Sequence, residues 1–334
     1  MTQMITVNVL LKSKFLKLQS LFLFANKKNN NKKSAFSSLN KAWLNVSSKI
    51  APATVKHDKK KVEDKKEEEK CPKVESDIGC LSDVGKTRRI DEDSVFVAKT
   101  YSLENGKSVK KIFLVIADGM GGHSKGEVAS ALGVTTVAGL VIPKILMRQE
   151  ETDYSDLMTS SIKEANQHIL QHSVNCPECD GMGTTMTMMV IDKQNLYVGH
   201  VGDSRAYIVS GGQITQITKD HSLVQQLVDN GEITSEEARN HPQKNVITRV
   251  VGYYAEVEPD VYSRKWEKND QVIICCDGLT NHVEDTELMQ MVLTSESPQN
   301  ACKNLVKTAN NRGGKDNISV IVTPPLGSLF EQTD

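Results

Sequence analysis

The chain beyond residue 90 alternates between short apolar runs and longer amphipathic segments. The short runs predict strands, and these lie at 94–98, 111–117, 184–191, 195–200, 205–209, 213–217, 272–276 and 318–322. The amphipathic segments carry apolar residues at helical spacing and predict helices, which lie at 127–147, 154–173, 223–240, 284–293 and 298–310.

The order of these elements predicts the fold class. Strands and helices do not alternate regularly along the chain, as they would in a parallel α/β sheet. Strands are grouped in one part of the chain and helices in others, which is typical of an α+β layered domain with largely antiparallel sheets. Ser210-Gly211-Gly212 supplies a hairpin turn between two of the strands.

Charge divides the chain into unequal parts. The 334 residues include 41 Lys+Arg and 42 Asp+Glu, for a net charge of −1. Residues 1–57 hold ten lysines and no acidic residue, and residues 58–70 hold six lysines and six acids. The rest, from residue 71 onward, has 25 basic and 36 acidic residues. This acidic excess disfavours nucleic-acid binding by the body of the chain.

These shifts in composition predict the domain organisation. A basic head over 1–57 is followed by a charged linker over 58–74. A single folded domain is expected over 75–325, with a C-terminal tail over 326–334. A chain of this length can bury a sizeable core without disulfides.

Two interpretations of the head remain open. It is basic, contains Ser and lacks acids, as an organelle transit peptide would, although it has no Arg. Its Asn/Lys-rich stretch at 26–33 is equally typical of a disordered tail. Lysines interrupt its apolar residues, so neither a secretory signal nor a transmembrane segment is predicted. The expected location is the cytoplasm, or a mitochondrion or plastid if the head is a transit peptide.

The seven cysteines are odd in number, and two of them lie in a predicted buried strand. Both features indicate reduced thiols in a reducing compartment. His168, His172, Cys176 and Cys179 form one cluster in the sequence, with a Cys-x-x-Cys after two histidines one helical turn apart. Such spacing could bind zinc or form a redox-sensitive disulfide, but an exposed helix face followed by a loop explains it more simply.

The candidate chemistry is an aspartate at the end of an apolar strand, and it occurs twice. Asp118-Gly119 follows one strand, Asp277-Gly278 follows another, and Asp316 directly precedes the last strand. Asp-Gly is also a common turn signal, so the repetition carries the weight. Carboxylates and carbonyls are hard ligands that suit Mg²⁺ or Mn²⁺. Two such ions could acidify a water between them.

Six short motifs occur in a fixed order, at 88–93 (RRIDED), 118–123 (DGMGGH), 183–185 (GTT), 199–205 (GHVGDSR), 277–280 (DGLT) and 314–317 (GKDN). Their order and spacing resemble the metal-dependent PP2C-type (PPM) serine/threonine phosphatases, and residues 220–252 are similar to the bacterial-type branch. The resemblance implies a four-layer α-β-β-α sandwich with two mainly antiparallel sheets. It also implies a monomeric enzyme that dephosphorylates phosphoserine and phosphothreonine in proteins, opposing a Ser/Thr kinase.

The resemblance further implies a metal site of two Mn²⁺ or Mg²⁺ ions with a possible third. Its expected ligands are carboxylates and one carbonyl, namely Asp118 as the bridge, Gly119 through its carbonyl, Asp277, Asp316, Glu92 and Asp93 through water, and Asp180 at the third ion. A hydroxide bridging the ions would attack phosphorus directly, without a phosphoenzyme. Asp118 and Asp277 would thus be catalytic through the ions.

Substrate contacts are implied by the same resemblance. Arg88 would grip the phosphate, since guanidinium matches phosphate geometry. Residues 221–252, including His221 and Asn245, would form a mobile flap beside the site. Animal members carry a proposed general acid, His, where this chain has Met120. A metal-bound water or a histidine elsewhere could take that role.

An alternative function belongs to another class, a catalytically inactive scaffold with the same fold. Such a protein would be expected to lose metal carboxylates. Asp118, Asp277 and Asp316 are all present together with Arg88, so the enzyme is favoured.

Overall fold

The computed structural model describes residues 78–104, 107–120, 125–147 and 152–330. All of them belong to the unit Pro72–Asp334. The predicted head and linker, and His123, lie outside the described residues.

The described residues form strands and helices in the following order. The strands are β1 (Gly79–Asp83), β2 (Asp93–Glu104), β3 (Lys107–Met120), β4 (Gly183–Thr184), β5 (Met186–Asp192), β6 (Asn195–Val201), β7 (Arg205–Ser210), β8 (Gln213–Gln216), β9 (Asp260–Lys265), β10 (Gln271–Cys275) and β11 (Ile318–Val322). The helices are α1 (Gly126–Leu146), α2 (Tyr154–Asn175), α3 (Leu223–Asp229), α4 (Ser235–Asn240), α5 (Asp277–Thr280), α6 (Asp285–Thr294), α7 (Pro298–Asn311) and α8 (Leu326–Phe330).

The strands pair into two antiparallel sheets. One sheet has the order β1-β11-β10-β7-β8, and the other has the order β2-β3-β5-β6-β9, with β4 paired to β3. The hairpin predicted at residues 210–212 connects β7 to β8.

Strand β3 shows how one strand contributes to two hydrophobic cores. Ile112, Leu114 and Ile116 are fully buried in the core between the two sheets. Phe113 and Val115 are equally buried but pack on the opposite face, with residues of α1 and α2. This period of two follows from the pleat, which points successive side chains to opposite faces.

A third core completes the layering. Ile273 of β10 and Val320 of β11 face away from the core between the two sheets. They pack with Leu288 of α6 and Leu305 of α7. The layers are therefore α1–α2, sheet, sheet and α6–α7. This arrangement confirms the predicted four-layer α-β-β-α sandwich.

Helix α1 is long and apolar enough to cross a membrane by length and composition, with a mean hydropathy of 1.7 over its best window. Among the described residues, one helix is long and apolar enough to meet this criterion, and it is α1. Its Ala129, Val137 and Val141 are fully buried in the core beneath it. Packing in the sandwich accounts for its apolar composition.

Two strands that the hydrophobic pattern did not predict lie at the sheet edges. β1 pairs only with β11 and β9 only with β6 within their sheets. Edge strands such as Gly79–Asp83 and Asp260–Lys265 keep polar and half-exposed side chains. Such strands lack a continuous apolar run, so periodicity does not reveal them.

Two further segments differ from their predictions. The helical region predicted at 223–240 is split into α3 and α4, because each short helix has its own N-cap, Ser222 and Thr234. The tail predicted from residue 326 begins with α8, whose Leu326 and Leu329 are buried in the core between the sheets.

The cysteines follow the prediction of reduced thiols only in part. Cys80, Cys275, Cys276 and Cys302 are free, whereas Cys176 and Cys179 are joined by a disulfide with a Cα–Cα distance of 5.3 Å. That separation lies within the normal span of a disulfide.

The two histidines of the predicted metal cluster have different neighbours. A ligating nitrogen of His172 lies within 4.8 Å of both Cys176 and Cys179 sulfurs. His168 instead contacts Thr136 on α1 and Glu164 on its own helix, at 3.2 and 3.1 Å.

We expect His200 to make stability depend on pH. Its ring nitrogens contact Thr187 Oγ1 at 2.9 Å and the Lys219 carbonyl at 3.2 Å, and burial lowers its pKa from 6.5 to about 4. The unfolded chain therefore gains a proton first as pH falls, so the folded state loses stability between about pH 6.5 and 4. Relative to His200→Asn, wild type should lose about 3 kcal/mol over this window. Urea unfolding of both proteins across pH measures this, and a constant difference would contradict it.

Candidate active site

Four aspartates approach one another at one end of the sandwich. Asp93 begins β2 and faces Asp118, near the end of β3, in the antiparallel pairing. Asp277 follows β10 of the other sheet, and Asp316 lies just before β11. The ligand atoms of Asp93, Asp118 and the buried thiol of Cys276 all lie within 4.8 Å of one another. Strand ends from both sheets thus build one carboxylate cluster.

Arg88 connects two of the predicted ligands. Its Nη1 donates to Glu92 Oε2 at 3.0 Å, and its Nη2 donates to Asp316 Oδ2 at 2.9 Å. The side chain is 41% exposed, so the guanidinium lies at the rim of the cluster. Arg89, which is also exposed, has no hydrogen bond or ion pair among those found in the described residues.

Asn317 fixes the loop that carries Arg88 and Glu92. Its side-chain amide donates to the carbonyls of Val84 and Ile90, and its Oδ1 accepts from the Glu92 amide, all at 3.0 Å. Asn317 is only 3% exposed, so these bonds replace those it would make with water. The sequence places Asn317 beside Asp316 but does not reveal this role, because its partners lie far away in the chain.

The Gly-Thr-Thr motif holds Asp118 through its backbone. The Asp118 amide donates to Thr185 Oγ1 at 2.9 Å. The Asp118 carbonyl accepts from the Thr185 amide at 2.8 Å and from Thr184 Oγ1 at 2.9 Å. Asp118 is therefore fixed in position by the segment that contains β4.

The glycine after each strand-end aspartate is required by close backbone contact. A Cβ on Gly119 would lie 2.4 Å from the Glu92 carbonyl oxygen, and one on Gly278 would lie 2.0 Å from that of Asn317. The described contacts show that neighbouring backbone already occupies the space a side chain would need.

The carboxylates lie in an environment that disfavours their charged form. Burial raises the pKa of Asp118 well above its usual value, and Asp93, Asp277, Asp203 and Asp316 raise it further. Burial also raises the pKa of Asp93 to about 7, and burial together with Asp316 raises that of Asp277 to about 6. Like charges close together in a low dielectric produce such shifts.

The donor set fits a divalent cation. Both carboxylate oxygens of Asp93 and Oδ1 of Asp203 are buried without a hydrogen-bond partner among the described residues. Buried carboxylates normally bind a cation or a hydrogen-bond donor. Oxygen-only ligands suit Mg²⁺ or Mn²⁺, whose charge would offset the repulsion among the aspartates.

Asp203 is the carboxylate that the sequence analysis missed. It is 7% exposed, and burial and the charge of Asp277 raise its pKa well above the usual value. It lines a cleft of about 380 Å³ that also includes Asp277 and Asn281. A signal was present, because Asp203 also follows an apolar strand, although its glycine comes before it instead of after it.

Comparisons with known proteins identify the family. The Protein phosphatase 2C profile matches residues 79–227 and 240–318. The chain belongs to the PP2C family. This PP2C chain is 34% identical over 242 residues to the serine/threonine phosphatase stp of Listeria welshimeri serovar 6b, covering 72% of this chain and 92% of that protein.

Solved structures agree with this identification. The PP2C chain resembles the crystal structure of the Mycobacterium tuberculosis serine/threonine phosphatase PstP/Ppp with a TM-score of 0.64 and 34% identity, over 73% of this chain and 96% of that one. A structure of the PstP catalytic domain in complex with two manganese ions has a TM-score of 0.62 and 33% identity, with 73% and 96% coverage. The protein is a protein serine/threonine phosphatase of the bacterial branch, which confirms the resemblance seen in the motifs.

Asp180, the predicted ligand of a third ion, is exposed on the segment before β4. The buried acid next to Asp277 is Asp203.

The segment predicted to form a flap, residues 221–252, is anchored at both ends. His221 is 6% exposed; its amide donates to the Gly202 carbonyl at 2.7 Å, and its Nδ1 accepts from the Gly202 amide at 3.2 Å. Isolated bridges pair Ser222 with Ile247 and Thr184 with Val251. His221 therefore fixes the flap base beside Asp203, whereas Asn245 lines the cleft.

Met120 ends β3 and pairs with Gly183 of β4. Its thioether has no proton to donate, so this position cannot supply a general acid.

We expect Gly278→Ala to disrupt the site, because the new Cβ would overlap the Asn317 carbonyl. Overpacking of this kind costs about 2 kcal/mol of unfolding free energy. A matched control is Gly139→Ala in α1, where a Cβ has no neighbour within 4 Å. That change should stabilise the helix by about 0.5–1 kcal/mol. Urea unfolding and Mn²⁺ titration measure both effects, and wild-type stability and Mn²⁺ affinity in Gly278→Ala would refute the close-contact argument.

Proposed function

We propose that this phosphatase hydrolyses phosphoserine and phosphothreonine in proteins by direct attack of water on phosphorus, at a centre of two divalent ions. The observation that carries the proposal is the buried cluster of Asp93, Asp118 and Asp277, in which the pKa of each carboxylate is raised by burial although Arg205 acts in the opposite direction on Asp277. Every predicted metal carboxylate is present in the described residues, so no observation favours the alternative of an inactive scaffold.

The predicted metal ligands divide into those that would bind the ions directly and those that would act through water. Asp118, the Gly119 carbonyl, Asp277 and Asp316 would hold the ions directly, with Glu92 and Asp93 acting through water. Two Mn²⁺ or Mg²⁺ ions, when bound, would acidify the attacking water and neutralise the phosphate oxygens. The two manganese ions of the PstP structure support Mn²⁺ and a count of two. Asp180 would serve the possible third ion, and the buried Asp203 is a second candidate for it.

Arg88 has free capacity for a phosphate. A guanidinium carries five N–H donors, and Arg88 uses two of them on Glu92 and Asp316. These two ion pairs hold the planar group in one orientation at the rim. Its remaining N–H groups can donate to phosphate oxygens in the bidentate geometry that arginine favours.

The cleft beside Asp277 supports a phosphoprotein substrate. It is lined by flap residues such as Lys244 and Asn245 on one side and by Asp277 and Asn281 on the other. A phosphorylated residue reaching Asp277 would therefore bring its flanking chain against the flap. We propose that a Ser/Thr kinase supplies these substrates and that the enzyme acts as a monomer.

Asp277→Asn provides the first test, with a phosphothreonine peptide and Mn²⁺. Loss of one ligand charge should lower kcat by about 10³-fold or more, as EDTA should in wild type. The raised pKa of Asp277 means that its ionised form destabilises the fold above about pH 6. The metal-free variant should therefore unfold at higher urea than metal-free wild type at pH 7.5.

That combination separates lost catalysis from lost folding. Turnover by wild type that survives EDTA, or a variant that keeps full activity, would refute the metal-dependent mechanism.

Arg88→Ala is the second test, and Arg89→Ala is its matched control. Removing Arg88 should reduce kcat/KM by about 10²-fold, because the phosphate loses its planar partner. Arg89→Ala should stay within about threefold of wild type, since exposed substitutions away from a site have small effects. Equal losses in the two variants would assign the effect to general charge and not to Arg88.

A further inference from the structure

The Cys176–Cys179 disulfide lies outside the carboxylate cluster. The bridge joins the residue before the short turn Pro177–Cys179 to the last residue of that turn, between the end of α2 and the start of β4. A bridge between residues so close in sequence removes little conformational entropy from the unfolded chain. Stabilisation of the fold therefore does not explain it.

The two sulfurs differ in access to solvent. Cys176 is half-buried, whereas Cys179 is 2% exposed within the core under α1 and α2. The exposed His172 lies one helical turn before Cys176, with a ring nitrogen within 4.8 Å of both sulfurs. An incoming thiolate would thus meet Cys176 first, and an imidazole lies close enough to exchange a proton with either thiol through one bridging water.

The segment after the disulfide leads directly to β4, the short strand that pairs with the end of β3. The Cys179 carbonyl accepts from the Met182 amide at 3.2 Å, and Met182 is fully buried. β4 follows at once and pairs with Gly119 and Met120 of β3.

Thr184 ends β4 and Thr185 follows it, and both threonines form hydrogen bonds with the Asp118 backbone. A change in the conformation of residues 176–182 therefore has a short, hydrogen-bonded route to Asp118.

We propose that Cys176 and Cys179 form a redox modification site that exchanges with external thiols and disulfides and sets the metal affinity of the active site. The inference rests on the proposed function, in which Asp118 bridges the ions. The oxidised pair fixes the turn that precedes β4, and so fixes Asp118. Reduction removes that constraint.

The exchange conserves atoms and electrons. A reductant thiolate attacks Cys176 Sγ, the Cys176–Cys179 bond breaks, and Cys179 leaves as a thiolate that takes up a proton. A second reductant thiolate then attacks the reductant sulfur of the mixed disulfide, forming the reductant's own disulfide and releasing Cys176 as a thiolate, which is also protonated. Two electrons pass from the reductant to the protein, and oxidation is the reverse reaction with an external disulfide.

The test measures thiol state and Mn²⁺ binding in the same samples. The full chain is equilibrated in glutathione buffers and, separately, in dithiothreitol buffers of defined potential. Alkylation and mass spectrometry report whether Cys176 and Cys179 are oxidised. Electron paramagnetic resonance of free Mn²⁺ gives the Kd, and we expect the Kd to rise by about fivefold or more on reduction. Glutathione alone, dithiol alone or both being effective identifies the thiol source.

Two variants sharpen the result. Cys176→Ser cannot form the bridge, so its Kd should equal that of the reduced wild type at every potential. Cys80→Ser removes an exposed free cysteine far from the turn in sequence and should retain the full redox response. The wild-type titration decides the matter even if Cys176→Ser folds poorly.

Three results would overturn the proposal. These are a Kd for Mn²⁺ that does not change as the disulfide opens, a pair that stays reduced under oxidising buffer, and stoichiometric zinc in the reduced protein that is lost in His172→Ala. The last would make the cluster a zinc site. Absence of phosphatase activity in both redox states would refute the proposed function, while the Mn²⁺ titration would still decide the redox inference.

Discussion

The repulsion among buried carboxylates is the interaction on which the active end of the molecule depends. Asp93, Asp118 and Asp277 come from both sheets, and burial raises the pKa of each. Such a cluster is stable only if the backbone beneath it is held rigidly and its charge is lowered, by protonation or by a bound cation. The bonds of Asn317 and of the Gly-Thr-Thr motif meet the first condition. The second couples cation binding to the stability of this site.

The sandwich itself could largely be predicted from hydrophobic periodicity. Strands buried on both faces, such as β10 and β11, carry continuous apolar runs that stand out in the sequence. Strands β1 and β9 do not, because an edge strand satisfies one side of its backbone with water and keeps polar side chains. The split of the flap into α3 and α4 was also hidden, since the polar composition of the region does not show where one helix ends.

Active-site residues could be predicted where a chemically suitable side chain directly follows a recognisable strand. Asp118 and Asp277 each follow an apolar strand, so their placement at a sheet end could be inferred. Asn317 could not be assigned a role, because its amide bonds to residues that only the fold brings near. Asp203 shows the same limit, because its burial beside Asp277 depends on three-dimensional packing and not on its place in a motif.

The two anchored ends of the flap divide the catalytic domain into parts that can change at different rates. Ser222 is paired with Ile247, and Val251 is paired with Thr184 of the strand next to Asp118. Substitutions at residues 223–246 alter the wall of the cleft without reaching the hydrogen bonds that position Asp118. Descendants of one ancestral gene could therefore acquire new targets through this interval alone, while the chemistry of hydrolysis is inherited unchanged.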